Sequence, residues 1–364
     1  MIVIYTRAYN AECTLRATMD SVLNQTYTNF RYVLLDNGSI DSTLDIMREY
    51  AQRDKRVIIL SRTINAKNFS SCLEILNFII NNFSNEDYFC NIDADDTYQP
   101  DFMEHMIYFA MKNQLDTVFC GYNVLERTSG KFIANKKVEE NLIIENEDLP
   151  KYFKTFRRFT TDMWGKLFKV SLLKYYLDSE RFEVLKNFNH TQQNFIYDAL
   201  SNSGRLGLLS ETLMDYYESD TAQKNMRMDG QVSLIQYRDI FRIMEGFLDH
   251  FETSDKLYRH NKNYIYAVYF GYIKDCISVI KLTNAMSYAN KIAYYFDIFS
   301  HHITKEMLCL EAEDEFYSLH PESKESLCNS VVSFMLSQEG YEVHKVKINK
   351  IIATMKKCGI SLRL

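Results

Sequence analysis

Tyr88-Phe89-Cys90-Asn91-Ile92-Asp93-Ala94-Asp95-Asp96 is an apolar run that ends in three carboxylates. A short uncharged run of this kind reads as a strand buried on both faces, as interior strands of parallel sheets are. Open α/β sheets place their ligands just beyond the carboxyl ends of such strands. On a strand or its extension, residues i and i+2 point the same way, so Asp93 and Asp95 can face one ligand. Two hard oxygen donors, completed by water, suit Mg²⁺ or Mn²⁺, the cations that accompany phosphates. The blander alternative is a solvated turn whose aspartates cap the helix near Pro100.

The residues on either side repeat the strand–helix alternation. Ile2-Val3-Ile4-Tyr5, Tyr32-Val33-Leu34-Leu35 and Val57-Ile58-Ile59-Leu60 read as further buried strands, and Thr117 to Tyr122 as another. Between them, residues 14–23 carry Leu15, Met19, Val22 and Leu23 on one helical face. Asp41 or Ser42 can cap a helix running to about Gln52, residues 69–83 form the next, and Pro100 fits the first turn of one ending near Lys112. Short apolar strands separated by helices predict a mostly parallel sheet covered on both faces. Residues 123–228 mix strand and helix signals irregularly. Beyond Asp229 long helical stretches follow at about 231–250, 261–280, 284–301, 303–317, 322–338 and 345–358. Tyr264, Ile265, Val268, Tyr269 and Tyr272 are dense enough to bury a face, against the rest of the module or against a second subunit.

Composition narrows the function classes. Hydrophobic residues at 46% and charged residues at 25% describe a folded chain, and 364 residues suffice for an α/β core plus a second module. The formal net charge of −6 gives no global pull toward nucleic acid or an anionic bilayer, although local basic patches and peripheral membrane contact stay open. Eight cysteines without CxxC spacing, several among apolar neighbours, predict reduced thiols and a cytoplasmic protein. The start, Met1-Ile2-Val3-Ile4-Tyr5, reads as strand rather than signal segment, and no run of eighteen uncharged apolar residues predicts a membrane span. Glycine and proline together number only 14, so Asn, Asp and Ser must make most turns.

Other candidates join the strand ends. Asp36-Asn37-Gly38-Ser39 closes the second strand, where a carboxylate can accept from a base N–H or a ribose hydroxyl and Gly38 allows close backbone approach. Thr6 and Arg7 end the first strand and Asn65 follows the third, on the same rim; Arg7 can meet a phosphate or serve a surface ion pair. Trp164-Gly165-Lys166-Leu167-Phe168 offers an aromatic face for a sugar and a cation for a phosphate, or else a core tryptophan beside a snorkelling lysine. His190 precedes Thr191-Gln192 and can act as a base or a ligand; His301-His302 has no metal-spaced neighbours. No Walker A loop, dinucleotide glycine fingerprint or nucleophile elbow is present.

Assembled, these residues resemble the inverting family 2 glycosyltransferases of the GT-A fold. The resemblance rests on Tyr9-Asn10, on Ser21-Val22-Leu23-Asn24-Gln25-Thr26-Tyr27-Thr28-Asn29-Phe30, on Asp36 to Thr43, and on Asn91 to Asp96 with Pro100 following. It continues through Trp164 to Phe168 toward residue 220. It implies a GT-A-like domain over 1–228 and leaves the all-helical module, 229–364, for oligomerisation or acceptor binding. It implies metal-dependent transfer of a sugar, most simply a hexose, from a nucleotide diphosphate donor such as a UDP-sugar to an acceptor hydroxyl on a glycan, peptide or lipid-linked molecule. Asp36 would hold the base, Asp93 the nucleoside, and Asp95 the Mn²⁺ or Mg²⁺ on the diphosphate, with Asp96 beside it.

The chain departs from that pattern in four places. Asn37 stands for a usual aspartate, Arg31 for a glutamate, and Asn65-Ala66 lacks the glycine of the third loop. Thr191-Gln192 occupies the place of a Glu-Asp pair, and neither side chain is a base near neutral pH. His190 or Asp162 is then the candidate base. Two rivals follow: a catalytically weak nucleotide-sugar-binding scaffold that assembles through its helical tail, and a sugar nucleotidyltransferase. The latter needs a glycine- and lysine/arginine-rich loop after the first strand, and residues 6–15 hold only Arg7 and no glycine.

Overall fold

The computed structural model describes residues 1–66, 70–160, 162–185, 191–218, 255–282, 286–310 and 323–363. The chain forms two compact units, Met1–Asp220 and Thr221–Leu364.

The first unit begins with strand β1 (Ile2–Ala8), helix α1 (Leu15–Leu23), β2 (Phe30–Asp36), α2 (Thr43–Arg53), β3 (Val57–Ser61), α3 (Ser70–Asn82) and β4 (Tyr88–Asn91). Every residue of β1 except Arg7, and every residue of β2 except Arg31, is buried, as the continuous apolar runs require. α1 buries Leu15, Thr18, Met19 and Val22, one stripe of a 3.6-residue period. β3, β2, β1 and β4 lie side by side and parallel. Their register puts Ala8 beside Asp36 and Asp36 beside Ser61, so three strand ends form one rim.

The sheet then changes direction. β5 (Thr97–Tyr98), α4 (Phe102–Asn113), β6 (Thr117–Glu126), β7 (Phe132–Lys136), β8 (Leu142–Glu145), α5 (Leu149–Arg157), β9 (Lys166–Lys169), α6 (Val170–Leu177), α7 (Glu180–Leu185), α8 (Thr191–Asn202) and β10 (Arg205–Glu218) complete the unit. β9 sits antiparallel between β4 and β6, while β6 and β10 run parallel to each other. The architecture is therefore a mixed sheet flanked by helices; of its antiparallel members β7, β8 and β9 come from the irregular stretch after residue 122, and β5 from the segment just after the aspartates. β7 is exposed on nearly every residue, which explains why no alternation marked it. β10 carries two register shifts, after Leu208 and after Thr212; such bulges bend a strand, and this one pairs with β6 along most of its length, with β8 at its start and with β5 near its end.

Local capping differs in detail from expectation. Pro100 precedes α4, whose cap position is Asp101. Asp41 rather than Ser42 accepts the Thr43 N–H at the start of α2, at 3.0 Å. The scarcity of glycine is met by Asn10 and Gln114, which take positive φ at 50° and 54°. Three buried tyrosine hydroxyls of this unit find partners: Tyr32 shares a bond with Thr6 Oγ1 at 2.9 Å, and Tyr88 and Tyr98 donate to the carbonyls of Leu115 and Asn91 at 2.6 Å.

The second unit is helical among its described residues: α9 (Asp255–Leu282), α10 (Tyr288–Ser300), α11 (His302–Cys309), α12 (Lys324–Leu336) and α13 (Tyr341–Lys357). Ser287 and Ser323 cap α10 and α12 by accepting the N–H groups of Asn290 and Ser326. Ile292, Tyr295, Ile298, Ile348, Ile351 and Met355 build the core between α10 and α13. Ile265 and Tyr269 are buried within this unit, whereas the side chains of Val268 and Tyr272 and the helix expected at 231–250 lie outside the described residues. Among the described residues no helix is long and apolar enough to cross a membrane.

Candidate functional site

The rim is stitched by reciprocal bonds between the loops after β1 and β2. Asn10 N–H donates to Ser39 Oγ at 3.1 Å while Asn10 Oδ1 accepts the Ile40 N–H at 3.0 Å. Ala11 N–H donates to Thr43 Oγ1, and Glu12 Oε2 accepts the Ser42 N–H. Asp36 is buried, and its Oδ1 accepts the Ser39 N–H at 3.1 Å, closing the turn that holds Gly38. Gly38 has φ +80°, and a Cβ there would come within 2.7 Å of the Ile64 carbonyl carbon and 2.8 Å of Asn65 N. Asn37 ties the third loop to this turn: its Nδ2 donates to Asn65 Oδ1 at 2.8 Å and to the Ala66 carbonyl at 3.1 Å, and its Oδ1 accepts the Ala66 N–H. Asp36, Asn37 and Asn65 thus stand together at one corner. Thr6 is at the same rim but points inward, its hydroxyl spent on Tyr32 and on the Ile92 carbonyl at 2.8 Å. Arg7 is exposed and electrostatically coupled to Asp93.

The aspartates do not extend β4. Asp96 N–H donates to the Asp93 carbonyl at 3.3 Å, so residues 93–96 form a turn, and the alternation argument for Asp93 and Asp95 does not describe their placement. Two hydroxyls, from the α1 cap position and its first turn, pin that turn, Thr14 to the Ala94 carbonyl and Thr18 to the Asp96 carbonyl, each at 2.8 Å. From the other side Arg127 donates to Asp95 Oδ2 at 2.6 Å and to the Tyr217 carbonyl at 2.6 Å. Asp93 reaches solvent, yet the enclosing protein and the charges of Asp95 and Asp162 push its carboxyl up to about 7, with Arg7 pulling the other way. Asp96 is fully buried; burial and the Asp93 charge push it up to about 9, against the Tyr217 N–H that its Oδ1 accepts at 2.9 Å.

Among the described residues no three His, Cys, Asp or Glu side chains form a closed cage for a metal. The turn's chemistry still fits a cation of the kind that keeps several waters and shares its shell with phosphates. Buried Asp96 Oδ2 has no hydrogen-bond partner, and the charge of Asp95 bears on Asp93 despite Arg127 and Arg7 nearby.

The loop carrying Asp162 closes against the end of β4 through a bridge between Asn91 and Trp164. Asp162 is exposed, and its surroundings raise its carboxyl above the usual range, with Lys166 and Lys136 lowering it. Its charge is felt by Asp93, which places the two carboxylates in one neighbourhood. Trp164 is buried, stacked on Tyr216 (centroids 5.1 Å, 19°) and edge-on to Tyr122 (4.6 Å, 82°). Lys166 is buried as well, donating to the carbonyls of Asp162 and of Trp164, the latter at 2.8 Å. Both residues therefore face protein, in the arrangement of core tryptophan and inward lysine, and shape the loop that presents Asp162. His190 lies outside the described residues, as do the side chains of Thr191 and Gln192.

Arg127, Thr14, Thr18 and Tyr217 were not singled out by the sequence. Glu126-Arg127-Thr128-Ser129-Gly130 carries a hairpin signal, and that local signal says nothing of a partner at Asp95.

The model of the family described as "Glycosyl transferase family 2" matches residues 3–176. An uncharacterized glycosyltransferase of Haemophilus influenzae is 35% identical over 115 residues, 32% of this chain and 34% of that protein. A UDP-Glc:alpha-D-GlcNAc-diphosphoundecaprenol beta-1,3-glucosyltransferase of Escherichia coli is 27% identical over 148 residues, 40% of this chain and 56% of its own length. The chain thus spans about a third and about half of these relatives. In fold it is similar to residues 1–349 of TarS from S. aureus, solved in complex with UDP, with a TM-score of 0.50 and 14% identity over 98% of this chain and 89% of that one.

Proposed function

Residues 3–176 belong to glycosyl transferase family 2, and on that premise we propose that the chain moves a hexosyl group from a UDP-sugar to an acceptor hydroxyl, with inversion. The observation that carries this reading is the shared rim, where Asp36, Asn65 and the turn at 93–96 stand at the ends of adjacent parallel strands. The E. coli relative, named for a UDP-Glc donor, supports UDP as the nucleotide.

In this reading Asp36 accepts from the uracil N–H or a ribose hydroxyl, and Gly38 lets the base approach the backbone. Arg7, exposed beside Asp93, meets the diphosphate. Asp93 and Asp95 would hold Mn²⁺ or Mg²⁺ with the unpartnered Asp96 Oδ2 beside them, and that cation would supply positive charge against the departing diphosphate. Asp162 takes the proton of the acceptor hydroxyl as its oxygen bonds to the anomeric carbon and the bond from that carbon to the diphosphate oxygen breaks. A carboxyl held above its usual range is suited to this, because a base works best with a pKa near the working pH. Lys166 positions Asp162 by gripping its carbonyl.

The test is a calorimetric titration of UDP with and without Mn²⁺, on the wild type and on Asp95→Ala. The reading expects Mn²⁺ to tighten UDP binding and Asp95→Ala to remove that gain. UDP binding indifferent to both would overturn the site. Slow hydrolysis or transfer from UDP-sugar, lost in Asp162→Asn while UDP binding persists, separates an enzyme from a binding scaffold.

A further inference from the structure

Helix α13 carries five lysines, Lys345, Lys347, Lys350, Lys356 and Lys357, and a single acid, Glu342, in a chain whose formal net charge is −6. Its buried residues are Ile348, Ile351 and Met355. At 100° per residue the opposite side is a stripe of Val343, Val346, Lys350, Ala353 and Lys357, flanked by Lys347 and Lys356. Val343 is 82% exposed and Val346 72%. β-Branched residues lower helix propensity, so two bare valines one turn apart add nothing to the helix itself. Glu342 is engaged by Lys345 at 3.1 Å, and Lys347 lies over the Phe296 ring at 6.0 Å. Lys350, Lys356 and Lys357 make no ion pair among the described residues.

We propose that this outer face of α13 docks on an anionic lipid bilayer. Such a surface answers both features at once: headgroups take the ammonium groups, and the valines enter the boundary beneath them. A second copy of the same face would bring lysines against lysines. Nucleic acid would take the lysines but offers the valines nothing. The assignment concerns the second unit alone and does not depend on the sugar-transfer reading.

The experiment is co-sedimentation of the full chain with phosphatidylcholine vesicles and with phosphatidylcholine–phosphatidylglycerol vesicles across a salt series. Binding to the anionic vesicles alone, falling as salt rises, is expected. Lys350→Gln with Lys357→Gln should weaken it about thirtyfold, the ratio that roughly 1 kcal/mol per lysine gives. Val343→Asp should weaken it too, with the helical circular dichroism and melting temperature of both variants unchanged. Failure to bind anionic vesicles at low salt, equal binding to neutral ones, or wild-type binding by the variants would each overturn the proposal. So would a DNA duplex that displaces the vesicles and still binds Val343→Asp.

Discussion

Arg127 Nη2 lies 2.6 Å from Asp95 Oδ2, and the same nitrogen donates to the Tyr217 carbonyl. One guanidinium therefore joins the turn after β6, the end of β10 and the aspartate turn. The carboxylate assigned to a cation is already paired with a positive charge. Half-exposed pairs of this kind contribute about 1 kcal/mol or less. Arg127→Gln is accordingly expected to leave stability nearly unchanged and to tighten Mn²⁺ binding in the absence of nucleotide by about fivefold, read by electron paramagnetic resonance of free Mn²⁺. Weaker Mn²⁺ binding in the variant would show that Arg127 holds Asp95 in a ligating pose rather than competing for it.

Asn37 acts as a staple because it can donate. Its amide N–H groups face two acceptors, Asn65 Oδ1 and the Ala66 carbonyl, from a buried position. Aspartate has the same shape but would set a carboxylate oxygen against both. Asn37→Asp is expected to cost about 1–3 kcal/mol in urea denaturation, the usual penalty for a buried polar group without partners, and to weaken UDP binding about tenfold. Wild-type stability with unchanged UDP affinity would show that the third loop is held by other bonds.

In the parallel half of the sheet β1, β2 and β4 were legible because each is a short apolar run closed by polar residues, and two-sided burial demands that pattern, whereas β3 is apolar but only half-buried. The corner at Asp36 and Asn65 followed from strand order alone. The aspartate turn did not. Its shape is imposed by Thr14 and Thr18 at the start of α1, contacts about eighty residues distant in sequence that no local pattern encodes. Trp164 and Lys166 read equally well as ligand groups or as core; packing on Tyr216 and Tyr122 turns the tryptophan inward, and the Asp162 and Trp164 carbonyls hold the lysine. The antiparallel β7 escaped because an exposed strand has no apolar face to mark its period.

Asp162 gives a pH test of the proposed base. A base acts when deprotonated, so the rate should rise with pH through its pKa, and the protein around the carboxyl sets that limb above the ordinary carboxylate range. Lys136 is exposed and lowers the Asp162 pKa by its charge. Lys136→Met should therefore move the acid limb of the kcat/KM profile to higher pH, and Asp162→Asn should reduce kcat about 10²–10⁴-fold. An acid limb that stays in place in Lys136→Met would remove Asp162 from the role.

Lys166 ties stability to pH with a definite sign. Burial pushes its ammonium down to about 8, against attraction from Asp162, whereas in an unfolded chain it titrates near 10.4. Below about pH 8 both states hold the proton, and the native state bears a charge inside protein. Between that pH and the unfolded value the native lysine has lost its proton while the unfolded chain keeps it, so stability rises with pH across the window, by a few kcal/mol at most. Urea denaturation of wild type and Lys166→Met should show a difference that shifts toward wild type as pH rises from about 8 to about 10. Ionising tyrosines and cysteines elsewhere cancel in that difference. A difference that stays flat would mean the amine keeps its charge in the native state across that window, with the Asp162 and Trp164 carbonyls outweighing burial.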